Sequence, residues 1–206
     1  MASFGYSGKI LRVDLSSGSI SSISTADYAD SFLGGRGIAT KIYWDEVRPD
    51  VSAFDADNRL IFMTGPLTGF TGLAGSRWGI VGKSPATTPE YFNYCNLGGS
   101  WGAHLKFAGY EGIIVQGTSE KPVYLEIHDE KAHIKDASHL WGMGAIAVRK
   151  KLKDELGKSV RVAAIGPAGE NLVSLAIVLA DDGASGSSGL GAVMGAKKLK
   201  AIAVKG

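Results

Sequence analysis

Apolar and polar positions first organise themselves near the N-terminus. Ile10, Leu11, Val13 and Leu15 precede Ser16-Ser17-Gly18, and Ile20 and Ile23 follow. Two short apolar runs about a Ser-Gly turn predict a β-hairpin over residues 9–23. Thr25 is placed to cap a short helix over 26–33, with Gly34 at its C′ position. A second helix is expected over 38–47. The apolar run 60–64 ends at Gly65-Pro66 and reads as a strand, as does 77–82 before Lys83-Ser84-Pro85. A short helix is expected over 101–108. Strands are expected over 112–116, 123–127 and 132–134. The clearest helical period lies over 145–156, where Ala145, Val148, Leu152 and Leu156 share one face and charged residues fill the other. Strands over 160–165, 175–179 and 201–204 complete the pattern. Strands outnumber helices and hairpin spacings recur, which favours an α+β fold of mostly antiparallel sheet over a doubly wound one.

Composition narrows the class without naming a chemistry. Apolar residues make up 45% of the 206 positions and charged residues 20%, as in an ordinary soluble globular protein. A net charge of +2 gives no argument for a nucleic-acid or membrane partner. No apolar run approaches the ~20 residues of a membrane span, and the N-terminus lacks the apolar stretch of a secretory signal. With Cys95 alone, no internal disulfide and no cysteine-only metal site can form, and a cytoplasmic setting is expected. No low-complexity linker interrupts the chain, so residues 1–206 read as one domain.

Glycine is the informative residue. There are 29, against a usual share of ~7%. They gather at Gly34-Gly35-Arg36-Gly37, over 65–82, at Asn96-Leu97-Gly98-Gly99 and over 183–195. Loops of bare backbone converging on one surface would offer N–H and C=O groups to a polyanionic ligand. Each cluster also has a plain reading. The pair Gly98-Gly99 before the helix at 101 is either an anion site or a tight strand-to-helix turn. The stretch 183–195 lacks a P-loop pattern and is either a ring of N–H and O–H donors or a surface loop. Arg77, in Gly-Ser-Arg-Trp-Gly, could hold a phosphate through its planar fork or be merely solvated, and Arg36 is similar. His104, His128, His133 and His139 have no metal-ligand spacing, and His128 and His133 flank an apparent hairpin turn. Cys95 reads as a small buried apolar residue. No catalytic set stands out, so no catalytic residue is assigned.

Five stretches, read with their flanks, resemble the N-terminal domain of the aldehyde ferredoxin oxidoreductase family of tungsten-pterin enzymes. They are Gly65-Pro66-Leu67-Thr68-Gly69, Leu105-Lys106-Phe107-Ala108-Gly109-Tyr110, Asp136-Ala137-Ser138-His139, Ile165-Gly166-Pro167-Ala168-Gly169-Glu170-Asn171 and Gly191-Ala192-Val193-Met194-Gly195. They occur in family order and cover nearly the whole chain. The resemblance implies a two-sheet base on which two pterin dithiolenes lie, together chelating one tungsten, or molybdenum. It implies a Mg2+ ion between the pterin phosphates, bound by the backbone carbonyls of Asn96 and Ala184. Gly98, Gly99, Gly183, Ala184, Ser185 and Gly186 would line the phosphates. Arg77 would lie between a pterin and a [4Fe–4S] cluster.

The same resemblance implies an enzyme that oxidises aldehydes to carboxylic acids with ferredoxin as electron acceptor. Alternatives are a relative that reduces aromatic thioesters and a non-catalytic pterin carrier or assembly subunit. A nucleotide-binding module is a further alternative. The cluster would sit on helical C-terminal domains, or a subunit of the same enzyme, so the chain alone is expected to be inactive. Two positions depart from the family pattern. Gly183 and Ser187 stand where it commonly has arginines, leaving Ser185, Ser187 and Ser188 as weaker neutral donors.

Overall fold

The computed structural model describes residues 5–206. The first six-stranded sheet is built from β1 (Lys9–Asp14), β2 (Ser19–Ser24), β3 (Leu60–Met63), β4 (Trp78–Ser84), β5 (Tyr91–Leu97) and β6 (Gly112–Gln116), in the order β2-β1-β6-β3-β4-β5. The second comprises β7 (Val123–His128), β8 (Lys131–Asp136), β9 (Arg161–Ala164), β10 (Val178–Leu179), β11 (Ser185–Gly186) and β12 (Leu199–Lys205), in the order β11-β10-β9-β12-β7-β8. Each sheet is antiparallel except for one pairing, β1 with β6 and β12 with β7. The fold is thus α+β with two mixed, mostly antiparallel sheets, as expected.

Six helices are α1 (Ala26–Ala29), α2 (Gly35–Glu46), α3 (Trp101–Phe107), α4 (Ala145–Leu156), α5 (Pro167–Glu170) and α6 (Leu190–Ala196). The inner faces of the two sheets meet around Phe62, Trp78, Ile113, Leu125, Ile202 and Val204, with α3 and α6 contributing Trp101, Leu105, Val193 and Met194. Trp78 and Trp101 have ring centroids 4.3 Å apart at the centre of this core. On the outer face of the first sheet α2 buries Ile38, Ala39 and Ile42 against Ile61, Met63 and Val81. The outer face of the second sheet is covered by α4 through Val148 and Leu152. Both faces of the central strands β3 and β12 are therefore covered, which explains why they are near-continuous apolar runs.

Several elements differ from expectation. The helix at 26–33 stops at Ala29, and Thr25 makes no side-chain cap bond. Gly34 does not end that helix but caps the next, which starts at Gly35 instead of residue 38. The reason is tertiary: Gly35 N–H donates to the Thr64 carbonyl at 2.7 Å, and Gly34 sits at φ +89°, against Pro66. The expected strand at 175–179 shrinks to Val178–Leu179. Strand β5 and helices α5 and α6 have no counterpart in the sequence reading. Among the described residues no helix is long and apolar enough to cross a membrane.

Candidate functional site

The first sheet ends at β5 and the second at β11, and these two edges lie together. Their contact depends on Gly186: a Cβ there would fall 2.6 Å from Cys95 Sγ and 2.8 Å from Leu97 Cδ1. A hydroxyl completes the junction. Ser188 Oγ donates to the Tyr94 carbonyl at 3.1 Å, and the Ser188 carbonyl accepts from Ser84 Oγ at 2.6 Å. Ser188 is thus a strut between the edges, and its hydroxyl is not a free phosphate donor as the sequence suggested.

That bond also fixes carbonyl direction. Tyr94 C=O points away from β4, toward the 183–188 loop, and carbonyls two residues apart on a strand point the same way. Asn96 C=O therefore faces the same gap. Ala184 lies across it. Its carbonyl accepts from Ala180 N–H at 2.7 Å, which leaves its second lone pair for a further donor or cation. Asn96 and the loop 183–186, distant in sequence, are brought to one edge.

The outer face of β4 and β5 forms a shelf beside this gap. Residues 92, 94 and 96 are exposed there, whereas Cys95 and Leu97 point into the core. Gly79, paired with Asn96, contributes no side chain to the shelf. Gly98 continues it, and its carbonyl accepts from the buried Trp78 Nε1 at 3.0 Å. Arg77 is exposed, with Nη1 4.0 Å from where a Cβ on Gly98 would stand. Gly99, at φ +75°, makes the turn into α3. Gly183 is exposed with open space around it, and Ser185 is also exposed.

The remaining glycine cluster bounds the shelf. The α2 N-terminus meets Gly65-Pro66, and Arg36 in its first turn lies over the Tyr94 ring, 4.1 Å from guanidinium carbon to centroid. At the other end of α2, Glu46 accepts from Arg12 at 2.8 and 2.5 Å and from Arg59 at 3.1 Å, pinning the helix to β1 and β3. Burial alone would raise the Glu46 pKa, but the two guanidiniums outweigh it and hold the carboxyl below its usual range. Under the Gly65-Pro66 turn, Lys106 donates to the carbonyls of Gly5, Gly65 and Pro66. Beside it Glu111 is buried and accepts from Ser7 N–H at 2.9 Å. Burial pushes the Glu111 pKa up and the Lys106 pKa down.

Members of all four glycine clusters therefore meet about β5: Arg36 over Tyr94, Gly79 opposite Asn96, Gly98 after the strand and Gly186 against Cys95 and Leu97. The rest of the fourth does not. Gly189, Gly191 and Gly195 pack α6 against the loop before it and against α5. Arg36, which the sequence left open between holding a phosphate and being solvated, belongs to the shelf, and so does Tyr94, which the sequence did not single out. Cys95 is buried, with burial pushing its thiol up to about 12, so it is no nucleophile. Among the described residues no group of three or more His, Cys, Asp and Glu side chains is arranged to hold a metal.

Residues 10–206 match the family description "Aldehyde ferredoxin oxidoreductase, N-terminal domain". The chain is 48% identical to a tungsten-containing aldehyde ferredoxin oxidoreductase of Pyrococcus abyssi, over 98% of this chain and 34% of that protein. It is 37% identical to an aliphatic sulfonate oxidoreductase, WOR-like subunit, of Pyrococcus furiosus, over 98% of this chain and 35% of that protein. Among solved structures it resembles a chain of the active-site complex BamBC of benzoyl coenzyme A reductase, determined with 1,5-dienoyl-CoA. The TM-score there is 0.94 and the identity 41%, covering 98% of this chain and 31% of that one. The chain thus spans about a third of the length of the relatives it matches.

Proposed function

The chain belongs to the aldehyde ferredoxin oxidoreductase family, through its N-terminal domain, and on that premise we propose that it is the base on which a bis-pterin tungsten cofactor lies. The reaction we assign to the whole enzyme is oxidation of an aldehyde to a carboxylic acid, with ferredoxin as acceptor. The observation that carries the reading is the junction of the two sheet edges. There Asn96 on β5 meets the 183–186 loop at β11, and bare backbone at Gly98 lies beside the Arg77 guanidinium, which has no partner among the described residues.

The residues fit the group. A phosphorylated ligand needs N–H donors and open backbone, which Gly98, Gly99, Gly183 and Ser185 would offer, whereas Gly186 is buried in the junction. Mg2+ takes oxygen ligands, and the oxygens assigned to it by the resemblance would be the Asn96 carbonyl and the second lone pair of the Ala184 carbonyl. Arg77 is placed to donate from its fork to a pterin edge and toward a neighbouring cluster. When bound, the metal–pterin unit supplies the two-electron redox chemistry, and this chain binds and orients it. The [4Fe–4S] cluster is assigned to helical domains or a subunit of the same enzyme, which would also meet aldehyde and ferredoxin.

The solved reductase structure favours a second reading: a family relative that reduces aromatic thioesters. The higher identity to the aldehyde enzymes, 48% against 41%, supports the aldehyde reading over it. Purified holoenzyme containing this chain should carry tungsten, or molybdenum, with releasable pterin, and should reduce a viologen dye with aldehydes. Turnover of a cyclic dienoyl-CoA without aldehyde turnover would select the second reading. Arg77→Lys should keep most of the metal and lower turnover, and Arg77→Ala should lose metal as well. Protein with neither metal nor pterin would sink both readings, and wild-type metal and turnover in Arg77→Ala would remove the role of Arg77.

A further inference from the structure

Arginine side chains in this molecule are almost all engaged. Arg12 and Arg59 grip Glu46, Arg48 pairs with Asp50, and Arg149 pairs with the buried Asp181. Arg161 donates to Ser100 and to three backbone carbonyls. The two that remain are Arg36 and Arg77. Among the described residues neither guanidinium meets a carboxylate or any hydrogen-bond acceptor. Both lie on the outer face of the first sheet at β5: Arg36 over Tyr94, Arg77 beside Gly98. Tyr94, Asn96 and Gly98 are alternate positions, so all three face the shelf.

The seating of Arg36 matters as much as its charge. A guanidinium stacked on an aromatic face is held flat and partly ordered before any ligand arrives, while its N–H edge stays free. Such an arginine loses less entropy when it donates to an anion than a freely rotating one. The ring is itself fixed, because β5 is tied at the Tyr94 carbonyl by Ser188. Neither guanidinium has a counter-charge among the described residues, and an anionic ligand on the shelf would supply one.

We propose that Arg36, seated on Tyr94, is a second cationic residue of the shelf, and that it donates to a phosphoryl group of the planar phosphorylated cofactor whose edge Arg77 meets. This rests on the cofactor reading above and adds a residue that the sequence match does not assign. The test uses the holoenzyme containing this chain, passed through gel filtration at low and at high salt. Tungsten is read by elemental analysis and pterin by fluorescence of the oxidised extract.

Arg36→Gln should retain about 10-fold less cofactor at high salt, the worth of one charged hydrogen bond. Arg36→Lys, which keeps the charge without the stack, should fall between. Tyr94→Leu should also fall between, and Tyr94→Phe should match wild type because only the ring face is used. The melting temperature of cofactor-free protein should be unchanged in every variant. Wild-type cofactor content in Arg36→Gln at both salts overturns the proposal. So does a loss in Tyr94→Phe equal to that in Arg36→Gln, or a cofactor loss that follows a drop in apo-protein melting temperature. Wild-type protein that carries neither tungsten nor pterin defeats the cofactor reading itself.

Discussion

Lys197 follows α6 with 1% of its surface exposed, and its ammonium nitrogen lies 3.1 Å from each of the carbonyls of Ala56 and Gly117. Burial, reinforced by the charge of Arg59, pushes its pKa down to about 7. Unfolded lysine titrates near 10.4. Between those values the unfolded chain binds the proton that the folded chain has released, so stability rises with pH across that window. The gain from pH 7 to pH 9 should be about 2 kcal/mol. Urea unfolding of wild type and Lys197→Met at the two pH values checks it: the wild-type gain should vanish in the variant, which should also be less stable at pH 9 for lack of two hydrogen bonds. Equal slopes for both proteins would show that Lys197 stays charged. At this scale, residues with a local sequence context were legible. Arg77 stood out between a glycine loop and a strand, and Cys95 reads correctly as buried. Tyr94 was not legible, because its importance comes from Arg36, which folding brings onto its ring from a distant helix. Glu170 also escaped notice. It pairs with Lys200 in a buried contact and accepts the Gly142 N–H, tying one of the five recognised stretches to β12 and to the loop before α4 for structural reasons.

Glycine in α6 has a packing role that the sequence did not separate from ligand binding. A Cβ on Gly195 would lie 1.9 Å from the Gly169 carbonyl oxygen, and one on Gly169 would lie 2.7 Å from the Gly191 carbonyl oxygen. Helices α5 and α6 approach this closely because each presents bare backbone to the other. Gly195→Ala should therefore cost about 3 kcal/mol or more, at the upper end of overpacking, measured by chemical denaturation. Gly144→Ala is the control: it has open space about its Cβ position and φ −62°, and should change stability by about 0.5 kcal/mol at most. Similar costs for both would mean that the α5–α6 contact relaxes easily. The same element shows why pattern reading stopped short. The residues Leu190–Ala196 are buried nearly all round, so no amphipathic period marks the helix. Strand β5 was missed for the opposite reason. It is an edge strand whose outward positions are Phe92, Tyr94 and Asn96, so aromatic and polar residues fall on both faces and no clean alternation appears. The helix α4, with one face in the core and one in water, was legible to the residue.

At the scale of the whole molecule, the α+β class followed from strand count and hairpin spacing, whereas the two-sheet assembly came only with the family resemblance. Each sheet holds one parallel pair, β1 with β6 and β7 with β12, whose partners are far apart in the chain and leave no local signal. The candidate site lies where the edges of those sheets meet, so its assembly was no more legible than the pairing. The same architecture limits what the chain does alone. Its one thiol points inward at that junction, 6% exposed and with its pKa pushed up to about 12, while a [4Fe–4S] cluster takes four thiolates. Electrons leaving a metal on the shelf would therefore have no carrier in this chain. The 206-residue chain, purified alone and treated with iron and sulfide, should show no stable cluster absorption, and aldehyde should drive no viologen reduction above a protein-free control. Co-expression with the polypeptide that supplies the cluster should restore both signals. Cluster absorption that survives desalting in the single chain, together with aldehyde-dependent dye reduction, would mean that the shelf is not a base awaiting its electron acceptor but a complete redox centre, and the division of labour argued here would be wrong.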